Sequence, residues 1–138
     1  MRYLAIDYGL RRTGLAICDR GEKIASPLAV IQSEKSVLER IQQIVKSENV
    51  GGIVLGLPLN MDDSRGTQAE LVQEFAERLK SHLNIPVYLQ DERLSTFSAQ
   101  EKLASADLKK SKRNKMLDAV AAAEILQTFL DTQKSQGV

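Results

Sequence analysis

Three acidic residues, far apart along the 138-residue chain, have the types and settings that could do chemistry: Asp7, Glu92 and Asp118. Asp7 closes an apolar run, where a carboxylate is costly unless it is paired, hydrogen-bonded or bound to a cation. Glu92 follows a second apolar run, IPVYLQ. Asp118 shares a helical face with Ala122, Ile125 and Phe129, all within about 40° of it at 100° per residue, so it is expected to point inward. Three carboxylates aimed at one sheet edge would be hard oxygen ligands for Mg²⁺ or Mn²⁺. Two such ions about 4 Å apart can hold an attacking water and a leaving oxygen in line across a phosphodiester. Each acid also has a plainer role. Asp7 could accept bonds from the turn amides at Gly9, Glu92 could pair with Arg93, and Asp118 could be a first-turn carboxylate favoured by the helix dipole. Asp91 is the alternative to Glu92, and neighbours on extended backbone face opposite sides, so one of the two is expected to point in.

The basic and polar candidates surround these acids. DLKKSKRNK, residues 107–115, carries five cations against one anion. Alone it reads as a solvated loop; leading directly into Asp118, its Lys109, Lys110, Lys112, Arg113 and Lys115 read as a track for phosphates. Arg12 could grip a phosphate bidentately or form a surface ion pair. Gly9 and Gly14 would let the first turn close tightly and bring backbone near phosphate. Asn60 and Ser64 lie in a loop at the same edge, with turn chemistry as their plainer role. Arg93 could contact phosphate or hold Glu92. Tyr8 is read as packing rather than base stacking, Cys18 as a small buried hydrophobe, and His82 as a surface residue.

The elements that must position these residues follow from periodicity. Residues 2–8 and 13–18 read as strands, 19–22 as a hairpin turn and 23–31 as the return strand, with Pro27 marking an edge. Ser36 and Glu39 form a capping box ahead of a helix with Val37, Leu38, Ile41, Ile44 and Val45 on one face. Residues 50–55 are wholly apolar, as suits a strand buried on both faces, and 57–66 form a loop. Thr67 and Glu70 make a second capping box before Leu71, Val72, Phe75, Leu79 and Leu83. Residues 85–89 read as another buried strand. A helix near 95–106, the basic stretch and a long helix over about 116–132 complete the order βββαβαβα. Right-handed crossovers then predict a five-stranded mixed α/β sheet of order 3-2-1-4-5 with helices on both faces. The carboxyl ends of the first, fourth and fifth strands lie together, where open α/β sheets place ligands.

Composition bounds the remaining classes. The length predicts one domain over 1–138, with a polar and disordered tail from about 131. Hydrophobic residues are 43% and charged residues 27%, ordinary globular values. One cysteine and one histidine exclude a disulfide framework and Cys- or His-rich metal sites. With 19 basic and 18 acidic side chains, global charge says nothing about partners. No apolar run reaches membrane-spanning length and no leader is read, so a soluble, cytoplasmic protein is expected.

The motifs themselves resemble a known family. DYGLRRTGLAI carries Asp7, Gly9, Arg12, Gly14 and Ala16 in the spacing D-x-G-x-x-R-x-G-x-A; GLPLNM (56–61), DERLST (91–96) and KMLDAVAAAEILQTFL (115–130) follow in order. This resembles the YqgF/RuvX family of small ribonuclease-H-like proteins, described as Holliday junction resolvases, over residues 2 to about 130. The resemblance implies a metal-dependent nuclease acting in 5′-end processing of pre-16S rRNA, with Asp7, Glu92 and Asp118 as catalytic, Mg²⁺- or Mn²⁺-holding acids. Two departures stand out. Asp63 occupies a place where the family often has glycine, and Leu57-Pro58-Leu59 stands where related resolvases place an acid, with Asp62 or Asp63 as partial substitutes. The competing readings are a junction resolvase acting on branched DNA and a non-catalytic RNA-binding factor. An actin-like phosphate loop is disfavoured by length. Nucleic acid is the expected partner, with ribosomal particles as a further one, and the chain is expected as a monomer or weak homodimer.

Overall fold

The computed structural model describes residues 1–32, 36–58, 66–92 and 110–136, with side chains in the last segment described for 117–133. Its elements are β1 (Arg2–Asp7), β2 (Arg12–Cys18), β3 (Ala25–Gln32), α1 (Val37–Ser47), β4 (Val50–Leu57), α2 (Thr67–His82), β5 (Val87–Asp91) and α3 (Lys110–Gln136). The five strands form one sheet of order β3-β2-β1-β4-β5. β1 pairs antiparallel with β2 and parallel with β4, and β4 pairs parallel with β5. The expected strand order is the observed one.

The period-2 alternation divides the core into two. Leu4, Ile6, Leu15, Ile17, Ile53 and Leu55 face α1 and α2, packing on Val37, Ile41, Val72, Phe75 and Leu79. Tyr3, Ala5, Ala16, Cys18 and Val54 face α3, packing on Ala122, Ala123, Ile125, Leu126, Phe129 and Leu130. On the α3 side, Ala5, Ala16, Ala122 and Ala123 stand among larger residues, and at Gly14 the α3 backbone comes directly against the sheet. Asp7 has the parity of Tyr3 and Ala5, and Gly14 that of Ala16 and Cys18. Both therefore belong to the α3 face, and they are register partners across β1 and β2.

Several local expectations are corrected. The hairpin loop is longer than 19–22. Asp19 Oδ1 accepts the Lys23 and Ile24 amides at 2.7 and 2.9 Å, and Glu22 takes a left-handed φ of 57°, so β3 starts at Ala25. Ser36 is the N-cap of α1 but makes no side-chain cap bond. Gly66, not Thr67, caps α2, and Thr67 is already helical. Neither capping box forms. β5 is not a buried strand: it is the sheet's second edge, with Tyr88 and Leu89 38% and 43% exposed. β3 is the other edge, with Pro27 in it, and its register shifts opposite Leu15 and Ala16, leaving Leu28 as the extra residue. α3 begins six residues before the expected 116, because Lys and Arg are good helix formers and 110–116 contain neither Gly nor Pro. It continues to Gln136, so 131–136 are helical where a tail was expected. The helix expected near 95–106 lies outside the described residues. Cys18 is buried, His82 is exposed, and Tyr8 stacks flat on Phe75 at 4.1 Å between centroids, as expected. Among the described residues no helix is long and apolar enough to cross a membrane.

Candidate active site

The site starts at the carboxyl end of β1. Asp7 is the last strand residue, and the chain behind it is clamped on the α2 side. Gln68 Nε2 donates to the Tyr8 carbonyl at 3.0 Å, and the Tyr8 ring is stacked on Phe75. Gly9 then turns the chain; a Cβ there would run into the Arg12 carbonyl, so the tight closure expected of Gly9 is present. Gly14 has a different role from the expected one. A Cβ at Gly14 would collide with the Asp118 carbonyl and stand 2.8 Å from the Ala119 nitrogen. The missing side chain lets the α3 backbone touch β2 directly opposite Asp7, and this brings Asp118 to the sheet edge. Gly56 does the equivalent on the other side. It lies in β4, one residue beyond the Ile6–Leu55 pairing, and a Cβ there would meet Ile125 Cδ1 at 2.7 Å and Glu92 Cγ at 3.0 Å. Its empty position is where Glu92, just past β5, reaches across toward β1.

Sequence reasoning missed the roles of Gly56 and Gln68. The GLPLNM motif named Gly56, but a glycine that makes room and a glycine that turns the chain are indistinguishable until the strands are aligned. Gln68 had no signal beyond its place in a helical first turn.

The electrostatics follow from this crowding. The Asp7 and Glu92 carboxyl groups lie within hydrogen-bonding reach of each other, which in the absence of a cation favours a protonated carboxyl. Burial, the Glu92 charge and bond, and the Asp118 charge push Asp7 up to about 8. Burial and the neighbouring Asp91 charge also raise Glu92, against the Asp7 hydrogen bond that lowers it. Asp118 is raised by burial and partly restored by Arg12. It lies in the third turn of α3, not the first, so the helix dipole does not account for it. Arg12 Nε stands 3.2 Å from Asp118 Oδ2. That oxygen is buried and has no aligned hydrogen-bond partner among the described residues, so the contact is a charge pair without a directed bond.

These acids provide oxygen donors alone, a buried oxygen without a hydrogen bond and an excess of negative charge, which is the chemistry a hard divalent cation relieves. In this arrangement no three ligating side chains among the described residues are gathered for one ion: Asp7 and Glu92 form the close pair, and Asp118 is held by Arg12. Asn60, Ser64, Arg93 and Lys109, with Asp62 and Asp63, lie outside the described residues. Lys110, Lys112, Arg113 and Lys115 lie on the first turns of α3, which run past Asp118 beyond the β1 end of the sheet; their side chains are not described.

Comparison with known proteins places the chain in a family. A protein of Thermoanaerobacter pseudethanolicus is 42% identical over 139 residues, covering 99% of this chain and all of that one. One of Chloroflexus aurantiacus is 42% identical over 134 residues, covering 96% and 88%. Both are named "Putative pre-16S rRNA nuclease". Among solved structures, Thermus thermophilus RuvC in complex with a Holliday junction superposes with a TM-score of 0.63 at 16% identity over 98% of this chain and 96% of that one. The fowlpox virus resolvase bound to junction DNA gives 0.61 at 13% over 96% and 98%. These two show a shared resolvase fold. The model of one family, RuvX, described as Holliday junction resolvase, matches residues 1–132. With its acids at the sheet edge and this match along almost its whole length, the chain belongs to the RuvX family.

Proposed function

We propose that this protein is a divalent-metal-dependent nuclease that hydrolyses phosphodiester bonds in structured RNA, in 5′-end processing of pre-16S rRNA. The observation that carries the reading is the Asp7–Glu92 carboxyl pair beside the buried Asp118 oxygen, at the end of the central strand. Buried carboxylates crowded in this way are the kind of oxygen donors that a hard divalent cation favours. Asp7, Glu92 and Asp118 are the residues that would hold Mg²⁺ or Mn²⁺, two ions with substrate present. When bound, such ions make water a better nucleophile and neutralise charge on the leaving oxygen. The chain's own residues do the rest. Gly14 and Gly56 fix where the acids stand, and Arg12 and the cations of the α3 amino end, Lys110, Lys112, Arg113 and Lys115, hold phosphates. Gly9, Asn60, Ser64, Arg93 and Lys109 complete the substrate surface. The relatives' shared name supports the RNA substrate. A cytoplasmic setting, presentation of the RNA on a ribosomal particle, and a single-domain monomer or weak homodimer complete the proposal.

The family's description as a Holliday junction resolvase favours a second reading, cleavage of branched DNA by the same acids. One experiment separates the two. The purified protein is incubated with Mg²⁺ or Mn²⁺ and either a pre-16S 5′ leader RNA or a four-way DNA junction, with Asp7→Asn as the shape-preserving control. RNA cut by the wild type and spared by Asp7→Asn is the expected result. Junction cutting alone would transfer the assignment to resolution, and equal cutting by the variant would remove the carboxylate mechanism.

A further inference from the structure

We propose that Arg12 is a placeholder cation: it occupies Asp118 in the free protein, is drawn off by a substrate phosphate, and so makes substrate binding and divalent-cation binding promote each other. The inference rests on the metal-site reading above and deepens it. Three observations carry it. Arg12 Nε lies 3.2 Å from Asp118 Oδ2, yet that oxygen has no aligned hydrogen bond among the described residues. The pair is thus held by charge and lacks the directed bonds that lock an arginine to a carboxylate. The Arg12 side chain is 46% exposed and that of Asp118 26%, with Asp118 Oδ2 buried, so the guanidinium is the partner more open to solvent. Asp118 is moreover fixed from behind, because its backbone rests directly on Gly14. Of the two partners, only the arginine has freedom to leave.

The consequence follows from competition. A cation arriving at Asp118 in the free protein meets an adjacent positive charge and a carboxylate already neutralised. A phosphate offers Arg12 a bidentate acceptor, which the present contact does not. Once the arginine turns to phosphate, Asp118 loses its counter-charge and the cation binds more tightly. By linkage, bound cation must strengthen phosphate binding by the same factor. Couplings of this kind are commonly fivefold or more, and about tenfold is expected here.

The test measures Mn²⁺ affinity directly, by electron paramagnetic resonance of free Mn²⁺, without and with a saturating phosphorothioate leader RNA that resists hydrolysis. In the wild type the RNA should tighten Mn²⁺ binding about tenfold. In Arg12→Gln, the free protein should already bind Mn²⁺ about tenfold more tightly than wild type, and added RNA should give little further gain. Arg12→Lys, which keeps the charge, should behave like the wild type in the free protein and controls for any loss of folding in Arg12→Gln. A double-mutant cycle with Asp118→Asn should abolish the effect of Arg12→Gln, tying it to this pair rather than to net charge. Equal Mn²⁺ affinity of wild type and Arg12→Gln, with binding abolished by Asp7→Asn, overturns the placeholder and leaves the metal site standing. An absence of Mn²⁺ binding in the wild type, with and without RNA, overturns both.

Discussion

Gly14→Ala replaces one hydrogen by one methyl at the contact between β2 and α3, and the structure fixes what that methyl would meet. It would overlap the Asp118 carbonyl and stand 2.8 Å from the Ala119 nitrogen. All three atoms are helix backbone, which cannot swing aside as the end of a side chain can. The helix must translate or tilt, and it is held to the sheet by Ala122, Ala123, Ile125, Leu126 and Phe129. Overpacking a core costs about 1–3 kcal/mol, and backbone on both sides puts this case at the upper end. Against it stands the gain from replacing glycine in a strand, about 0.5–1 kcal/mol. The clash wins, and a net loss of about 2 kcal/mol is expected. For a domain of this size that lowers Tm by roughly 6–8 °C. Urea unfolding followed by circular dichroism, in EDTA, measures it. Gly21→Ala is the control: it lies in the exposed hairpin loop, where a Cβ meets nothing nearer than an Asp19 oxygen at 3.2 Å, and it should change stability by less than about 0.5 kcal/mol. If Gly14→Ala unfolds at the same urea concentration as Gly21→Ala, the close approach of α3 at Asp118 is wrong, and with it the account of how that carboxylate reaches the site.

Other expectations follow from the same contacts. Gly56→Ala presses on the ends of Ile125 and Glu92 rather than on backbone, so it should cost only about 1 kcal/mol in urea unfolding while cutting nuclease activity at least tenfold by displacing Glu92. Gln68→Ala removes the bond that holds the Tyr8 carbonyl and should lower stability by about 1–2 kcal/mol in the same assay. Metal-free stability should fall as pH rises from about 4 to about 8: the folded Asp7 keeps its proton up to about 8 while the unfolded chain releases it near 4, so the unfolded state gains by up to about 1.4 kcal/mol per pH unit. Urea midpoints in EDTA between pH 5 and pH 8 should show this slope in the wild type and a flatter one in Asp7→Asn; parallel profiles would remove the Asp7 proton from the account.

The order of elements and of strands was legible because each apolar run had a distinct period and because right-handed crossovers leave few arrangements. The meeting of Asp7 and Glu92 was legible for the same reason, since both end parallel-sheet strands. Asp118 was harder. Its inward face followed from Ala122, Ile125 and Phe129, but its turn did not. A run of lysines reads equally as a solvated loop and as a helix, and only the continuous helix decides it. The Thr67 capping box failed because Gly66 takes the extended conformation that a cap needs, leaving Thr67 inside the helix, and Ser36, though at the cap of α1, has a ψ of 18° rather than an extended one and makes no side-chain bond. The glycines could be located but not interpreted. D-x-G-x-x-R-x-G contains one glycine that turns the chain and one that admits a helix, and the difference lies in what packs above, which is a non-local fact.

The two packing glycines explain why an acidic cluster forms at all. Gly14 and Gly56 lie on the strands either side of β1, at or beside the level of Asp7, and both open toward α3. Side chains at either place would screen Asp7 from its neighbours. Their absence admits helix backbone on one side and Glu92 on the other, so burial raises all three acids and the Glu92 and Asp118 charges raise Asp7 further. The fold meets this crowding with a raised Asp7 carboxyl, which favours its protonated form, and with Arg12 against Asp118. Both are exchangeable with bulk solvent or substrate, whereas a buried lysine or a hydrogen-bonded amide in their place would have been permanent. On the metal-binding reading proposed above, the position of these removable charges, not the carboxylates alone, would set when a cation is taken up.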